Sequence, residues 1–256
     1  TKAGDSVPCE SRLAPFPMED DEGRCGIVRD ISSRLERERR LEQQVYQQEV
    51  VTDLGQRALE DHDLDALMDE AAELVADTLD NEYCKVLELD ADGDRLRLRE
   101  GVGWEEGIVG STTISAVDDE SQAAHTMQTD QPVVVTDFDA ESRFSGPDLL
   151  TDHGVRSGVS VVIGPSDDPW GILGTHDTEP REFAEHDVNF VQSVATILAS
   201  AVARHGHEQE LVHQREQLAA LNHLNEVVRE VTDAVLEQST REQIEQTVCD
   251  LLADSD

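Results

Sequence analysis

The side chains that could do chemistry in this chain are its histidines and cysteines, and their spacing limits what they can do. Four of the nine histidines, at positions 205, 207, 213 and 223, fall on one predicted helix. Positions two and six residues apart do not share a helix face, so these side chains are not placed to hold one metal ion. The step from Glu185 to Asp187 is interpreted as a helix cap region and not as a triad fragment. With no Walker loop, phosphoacceptor histidine box or nucleophile elbow, the sequence predicts neither a catalytic nor a metal site.

The four cysteines, Cys9, Cys25, Cys84 and Cys249, show no Cys-x-x-Cys spacing and no histidine at a metal-like interval. Cys9 and Cys25 fall on strands that could pair, which leaves a redox pair open, although two separate core thiols are favoured. This usage favours a reducing cytoplasm. There is no signal-peptide pattern and no apolar run near 18 residues, so we expect a chain without membrane contact.

The composition predicts an acidic, salt-adapted surface. Fifty-seven acidic against 20 basic side chains give a formal net charge of −37, and Lys2 and Lys85 are the only lysines. Carboxylates are spread over every segment, which is typical of salt-loving archaea, where molar salt screens self-repulsion. Such a surface binds nucleic acid poorly, because phosphate contacts need clustered lysine and arginine. Any DNA contact is therefore expected outside this chain.

Apolar periodicity predicts an α+β fold. The central order is helix, two strands, an irregular crossover with a short helix, two strands and a helix. We interpret it as an α/β sandwich, with an antiparallel sheet that has helices on one face and a ligand-sized crossover on the other.

Two long helices bracket this core, and both carry apolar 4-3 spacing. The first has a thin seam of Leu41, Val45, Gln48, Thr52, Gly55 and Leu59. The second has a more regular coiled-coil seam, in which Asn225 could fix the register. Its seam residues are Leu211, Leu218, Leu221, Asn225 and Val228. A homodimer is favoured over solvated single helices.

The N-terminal stretch resembles the last strands of a PAS domain. The matching residues are Ala3-Gly4-Asp5, Val7–Glu10 and Gly26–Ser32, whose Asp-Ile-Ser step ends that domain and starts an output helix. The resemblance implies that residues 1–31 are the C-terminal strands of a truncated PAS domain. Residues 32–60 would then be a linker or signalling helix.

Residues 52–204 resemble a GAF domain, because several short pieces stand in that family's order. The pieces are Gly110, Gln131–Val134 with Asp137, Arg143-Phe144 with Leu149-Leu150, Gly154–Ser157, Trp170–Leu173, and Arg181–Phe183 with Asp187. The resemblance implies a GAF-type antiparallel sheet with flanking helices. Residues 205–236 follow as a coiled-coil helix. Residues 234–256 are predicted to start a second, truncated GAF domain, because Leu251–Asp254 echoes Leu74–Asp77.

A GAF fold forms a pocket between sheet and crossover, which is the candidate ligand site. Its predicted lining is Val86, Leu98, His125, Phe138, Phe144, Leu150, His153, Val155, Ser157, Val159 and Thr175. A ligand-free core of the same residues is the alternative. His125 and His153 could act as haem ligands or proton sensors. Cys84 lies early on a strand, unlike a bilin-attaching cysteine, and the Asn-Lys of cyclic-nucleotide GAF domains is absent. The cofactor is left unknown.

This order of modules is similar to that of haloarchaeal bacterio-opsin activator-like regulators. The resemblance implies a non-enzymatic sensory core that relays a small-molecule, redox or light signal through dimeric helices to an output domain outside the chain. Two alternatives stay open: the sensor region of a histidine kinase, and a ligand-free GAF domain that serves only as a dimerisation scaffold.

Overall fold

Eight strands and five α-helices, with one short 3₁₀ turn, follow the predicted order in the part of the chain that is described. The computed structural model describes residues 6–17, 22–60, 63–117, 121–129, 131–237, 245–246, 248–250 and 253. The elements are β1 (Cys9–Pro17), β2 (Glu22–Asp30), α1 (Ser32–Glu60), α2 (Leu64–Leu79), β3 (Tyr83–Leu89), β4 (Arg95–Val102), β5 (Thr113–Ser115), α3 (Gln122–Gln128), β6 (Val133–Val135), the 3₁₀ turn (Phe138–Ala140), α4 (Asp148–Asp152), β7 (Ser157–Ile163), β8 (Gly171–Asp177) and α5 (Glu185–Glu237). The chain divides into two units, residues 1–200 and 201–256.

Strands β3 to β8 form one six-stranded sheet in the order β5-β4-β3-β8-β7-β6. Every neighbouring pair is antiparallel. The hairpins β3–β4 and β7–β8 lie side by side through the pairing of β3 with β8, and α3 and α4 belong to the crossover segments. The predicted antiparallel sheet with flanking helices is confirmed.

Helix α2 has clear start and stop signals. Asp63 caps it by accepting hydrogen bonds from the backbone N–H groups of Asp65 (3.1 Å) and Ala66 (3.2 Å). The helix ends at Asp80, which has left-handed backbone angles (φ 53°, ψ 48°). Between these ends, its apolar stripe is buried, as the 3.6-residue period predicts. The buried residues are Leu64, Leu67, Met68, Ala71, Ala72, Val75, Ala76 and Leu79.

Helix α1 has the predicted bounds, but the stripe that packs against the rest of the first unit differs from the predicted seam. Its buried residues are Gln47, Val50, Leu54 and Ala58. The Gln47 amide donates to Asp187 of α5 at 2.9 Å. Leu41, Val45 and Leu59 of the predicted seam remain exposed. Helix α1 therefore has one stripe packed within the chain and a second one free, and the pairing of that second stripe stays a prediction.

Strands β1 and β2 form a separate hairpin. Their register pairs Cys9 with Asp30 and Cys25 with Ala14, so the two cysteines stand five pairs apart along the strands. At roughly 3.4 Å per residue this is too far for a disulfide, which rules out the redox pair. The hairpin fits the predicted strand pattern, and its assignment to a PAS domain stays a prediction.

The second unit is described mainly as the continuation of α5 to Glu237. Most of residues 234–256, the predicted start of a second GAF domain, lie outside the described residues. That prediction therefore stays open.

Asn81 links the end of α2 to the sheet. Its side-chain amide donates to Thr175 Oγ1 at 2.7 Å and accepts from Arg181 Nη1 at 2.6 Å. We expect Asn81→Ala to lower the free energy of unfolding by about 2 kcal/mol, because it leaves buried partners unpaired. Urea unfolding in molar salt measures the loss. Asn189→Ala, at an exposed position of α5, is the matched control and should stay within about 0.5 kcal/mol of wild type. Equal losses in both variants would contradict the role of Asn81.

Candidate functional site

The register of the six-stranded sheet defines two faces. Residues paired across neighbouring strands share a face, and successive residues of a strand alternate between faces. One row is Leu87–Ile172–Val162, and the next row on the same face is Lys85–Gly174–Ser160. We call this the crossover face, because Leu87 and Ile172 pack there with Ala123 of α3. The opposite face, with Val86 and Leu173, is called the helix face.

Two apolar clusters occupy the crossover face. The larger contains Leu87, Leu96, Leu98, Ile114, Ala116, Ala123, Leu149 and Ile172. The smaller contains Val133, Val135 and Phe144, with Phe138 packed against it. Val133 pairs with Ser160 and Val135 with Gly158, so this cluster lies at the β6 edge of the same face.

A polar cluster lies between them, made of Lys85, Ser160 and His176 around Gly174. All three side chains are at most 1% exposed. A Cβ atom on Gly174 would lie 3.0 Å from Lys85 Cε, 3.1 Å from His176 Nε2 and 3.1 Å from Ser160 Oγ. No two of these atoms are therefore more than about 6 Å apart. Glycine at position 174 is what lets the three groups converge over the strand.

Several buried polar atoms near this cluster have no hydrogen-bond partner among the described residues. Both ring nitrogens of His176, both amide atoms of Gln122 and Nε2 of His153 are unpaired. Among the described residues, the one charged group that acts on the pKa of Lys85 is the neighbouring Cys84 thiol. Gln122 lies on α3, which packs against β7 and β8. Because buried polar groups in native proteins are nearly always paired, this face has unused hydrogen-bonding capacity.

Aromatic rings close the edge of the crossover face near His176. Trp104 packs 4.8 Å from Tyr83 and 5.1 Å from His153, as measured between ring centroids. Its indole N–H donates to the Cys84 carbonyl at 2.7 Å. Tyr83 is the strand partner of His176, so these rings lie on the same face as the polar cluster.

Burial changes the protonation of this region. Desolvation lowers the pKa of Lys85 to about 7, and the neighbouring Cys84 thiol opposes the shift only weakly. Desolvation, and then the charge of Lys85, hold the pKa of His176 well below its usual value. Burial raises the pKa of Cys84 to about 12, so its thiol is neutral at physiological pH.

The structure divides the predicted pocket residues between the two faces. Leu98 and Phe144 lie in the clusters of the crossover face. Val86, Val159 and Thr175 alternate onto the helix face, and so does Ser157, whose hydroxyl donates to the Glu179 carbonyl at 2.7 Å. These four side chains are therefore not brought together with Leu98, because the alternation of the strands turns them away.

The remaining predicted residues belong to the crossover segments. Phe138 lies in the 3₁₀ turn, Leu150 in α4, and Val155 just before β7. The His125 ring lies 5.0 Å from Phe144. His153 caps α4, with Nδ1 2.8 Å from the Leu149 carbonyl. The two histidines thus pack in different aromatic groups, and their roles as haem ligands or proton sensors stay predictions.

Lys85, Ser160 and His176 were not predicted as site residues. The signal that could have found Lys85 is its position between Cys84 and Val86 in an apolar strand, in a chain with one other lysine. Ser160 and His176 face glycines across the sheet, and this relation depends on the register, which the sequence alone does not fix.

The described residues lack two kinds of feature, a metal-ligand cluster and an apolar helix long enough to cross a membrane. No group of three or more histidine, cysteine, aspartate or glutamate side chains is placed to hold a metal ion. No helix there is long and apolar enough to cross a membrane.

The six-stranded antiparallel sheet and its flanking helices define a small α/β module. The sequence profile of the GAF domain matches residues 63–202, more than half of the chain, and the chain belongs to the GAF domain family. A segment of 49 residues is 45% identical to a Haloferax volcanii protein named "Putative transcriptional regulator". That match covers 19% of this chain and 8% of the relative.

Solved structures share the fold at low sequence identity. The GAF domain of a Coxiella burnetii phosphoenolpyruvate-protein phosphotransferase is 16% identical with a TM-score of 0.59, covering 65% of this chain and 98% of that one. Free methionine-R-sulfoxide reductase of Neisseria meningitidis, in complex with its substrate, is 18% identical with a TM-score of 0.55, covering 64% and 93%. The phycocyanobilin-bound GAF domain of a cyanobacterial phytochrome is 21% identical with a TM-score of 0.53, covering 63% and 96%.

Proposed function

We propose that this chain is the sensory segment of a signal-transduction protein and has no enzymatic activity of its own. In this proposal, the GAF domain passes a signal through dimeric helices to an output domain outside the chain. The observation that carries the proposal is an apolar row on α5. Leu211, Leu218, Leu221, Leu224 and Val228 are each between 54% and 60% exposed. A row of this length on one helix is typical of a coiled-coil seam that a second helix covers.

The proposed parent protein is a transcription regulator of a salt-loving archaeon. The similarity to the Haloferax volcanii protein supports this proposal. So does the net charge of −37 with only two lysines, which suits a cytoplasm of molar salt. Because the acidic surface binds nucleic acid poorly, the proposal assigns any DNA contact to a domain outside this chain. A histidine kinase as output is the second candidate, and the sequence that follows Asp256 in the parent protein distinguishes the two.

The dimer is tested on the whole chain by sedimentation equilibrium in molar potassium chloride. Wild type is expected to be a dimer. Leu221→Glu should raise the dimer dissociation constant by about a hundredfold or more, because it places an unpaired charge in the seam. His223→Glu adds a charge to an exposed position away from the seam and should leave the dimer intact. A monomeric wild type, or equal effects of the two variants, would rule out the proposed relay.

A further inference from the structure

The polar cluster of Lys85, Ser160 and His176 has the composition of an anion site. The lysine ammonium supplies three N–H donors, the serine hydroxyl one, and a neutral imidazole one more. Lys85 Cε, His176 Nε2 and Ser160 Oγ converge over Gly174, each 3.0 to 3.1 Å from the position that a Cβ atom would take there. The side chains are almost completely buried, so they face protein and not bulk water.

The charge of the cluster is unbalanced. Lys85 is the one lysine within the GAF domain, and among the described residues no carboxylate acts on its pKa. The nearby carboxylates belong to Glu88 and Asp177, and both point away from the crossover face. Glu88 is paired with Arg99 on the helix face, and Asp177 is paired with Arg181. A buried cation without a partner is strongly unfavourable unless an opposite charge compensates it.

The geometry points to a small monovalent anion as the ligand of the crossover face, held between Lys85, Ser160 and His176. This inference rests on the proposed sensory function and names the ligand class of that module. A cation would be repelled by Lys85, and a neutral ligand would leave the ammonium uncompensated. A single negative charge balances the single lysine.

Size is limited by the walls of the site. Lys85 Cε, His176 Nε2 and Ser160 Oγ lie within about 6 Å of one another, and apolar clusters flank them on both sides. These walls limit the ligand to a compact anion such as chloride or formate. These two ions share the chemistry of a compact monovalent charge, and the experiment distinguishes the halide from the carboxylate.

The test uses the whole chain with selectively ¹³C-labelled lysine, because only Lys2 and Lys85 then give signals. Sodium formate and sodium chloride are titrated separately, with sodium sulfate keeping the ionic strength constant. We expect a saturable change in the Lys85 ¹³Cε shift and a parallel rise in melting temperature with at least one of the two anions. Saturation by chloride identifies a halide site, and saturation by formate alone identifies a carboxylate site.

Four variants give the test its controls. Lys85→Met should abolish the saturable rise in melting temperature, and Lys2→Met should leave it unchanged. Ser160→Ala should weaken binding about tenfold, because it removes one hydrogen bond to a charged ligand. Gly174→Ala should also weaken it, because the methyl group enters the space that the three side chains surround.

The inference is overturned if the Lys85 signal stays unchanged up to molar formate and chloride. It is equally overturned if Lys85→Met keeps the wild-type rise in melting temperature. Its failure is separate from that of the proposed function. Sedimentation in sodium sulfate, with and without the anion, measures the dimer independently, because potassium chloride would itself supply one of the two anions. Saturable binding to a monomeric chain therefore keeps the anion site and rejects the relay.

Discussion

Replacement of Lys85 by methionine is expected to raise the free energy of unfolding at pH 7 by about 3 kcal/mol. Methionine has nearly the same length and flexibility, and it suits the apolar clusters that flank the position. In wild type, burial lowers the pKa of Lys85 from 10.5 to about 7. The unfolded chain therefore keeps a proton that the folded chain binds poorly. Urea unfolding in sodium sulfate measures the difference between the two proteins.

The pH dependence of that difference follows from the sign of the shift. Between pH 7 and about pH 10 the unfolded state binds more protons than the folded state, so wild-type stability gains with rising pH relative to the variant. The advantage of Lys85→Met should be largest near pH 7 and small near pH 10. The other titratable groups around the site, Tyr83, Cys84, His125, His153 and His176, are present in both proteins.

Lys2→Met is the matched control and should show no comparable difference between pH 7 and pH 10. A variant that is less stable than wild type across this range would contradict the prediction. Adding the bound anion should reduce the advantage, because the anion stabilises the charged form of Lys85. A residue that lowers the free energy of unfolding of the ligand-free protein, and whose charged form a ligand stabilises, has a role in binding that packing does not explain.

The sequence predicted the fold well because the GAF sheet is patterned locally. Helix α2 has an aspartate cap and an apolar stripe, and β3, β7 and β8 are short apolar runs separated by turns. Each of these signals depends on residues close together in the chain. The bounds of α1, α2 and β3 could therefore be predicted nearly to the residue.

The candidate site was harder to predict because it depends on which way each strand faces. A shift of one residue in the assumed alternation turns every side chain of a strand to the other face. Val86, Val159 and Thr175 were predicted in the pocket and lie on the helix face, whereas Lys85 and Ser160, one residue away, lie on the crossover face. The pairing of β3 with β4 also shifts register between Val86 and Leu87, which no local pattern reveals.

Helix α1 shows the same limit for helices. Its 4-3 spacing marks Leu41, Val45 and Leu59, yet the stripe that packs within the chain includes Gln47. A glutamine is buried there because Asp187 accepts a hydrogen bond from its side-chain amide. A polar residue with a distant partner carries no apolar signal, so hydrophobic periodicity alone cannot find that contact.

Replacement of Gly171 by alanine is expected to unfold the GAF domain or to lower its free energy of unfolding by at least about 3 kcal/mol. Gly171 starts β8 and pairs with Glu88 on one side and Ile163 on the other. A Cβ atom there would collide with the backbone carbonyl of Leu87. A backbone group in the middle of a sheet cannot rotate away as a side chain can, so β3 and β8 would have to separate.

Two alanine substitutions serve as comparisons in the same urea and melting experiments. Gly174→Ala, three residues along β8, meets only the ends of side chains and should leave the domain folded. Gly206→Ala, in α5, meets nothing within 4 Å and should raise stability by about 0.5 to 1 kcal/mol, because alanine has the higher helix propensity. If Gly171→Ala is as stable as Gly174→Ala, then β3 and β8 do not approach as closely as described. The close pairing of these two strands is also what places Lys85 opposite Gly174, so this result bears directly on the candidate site.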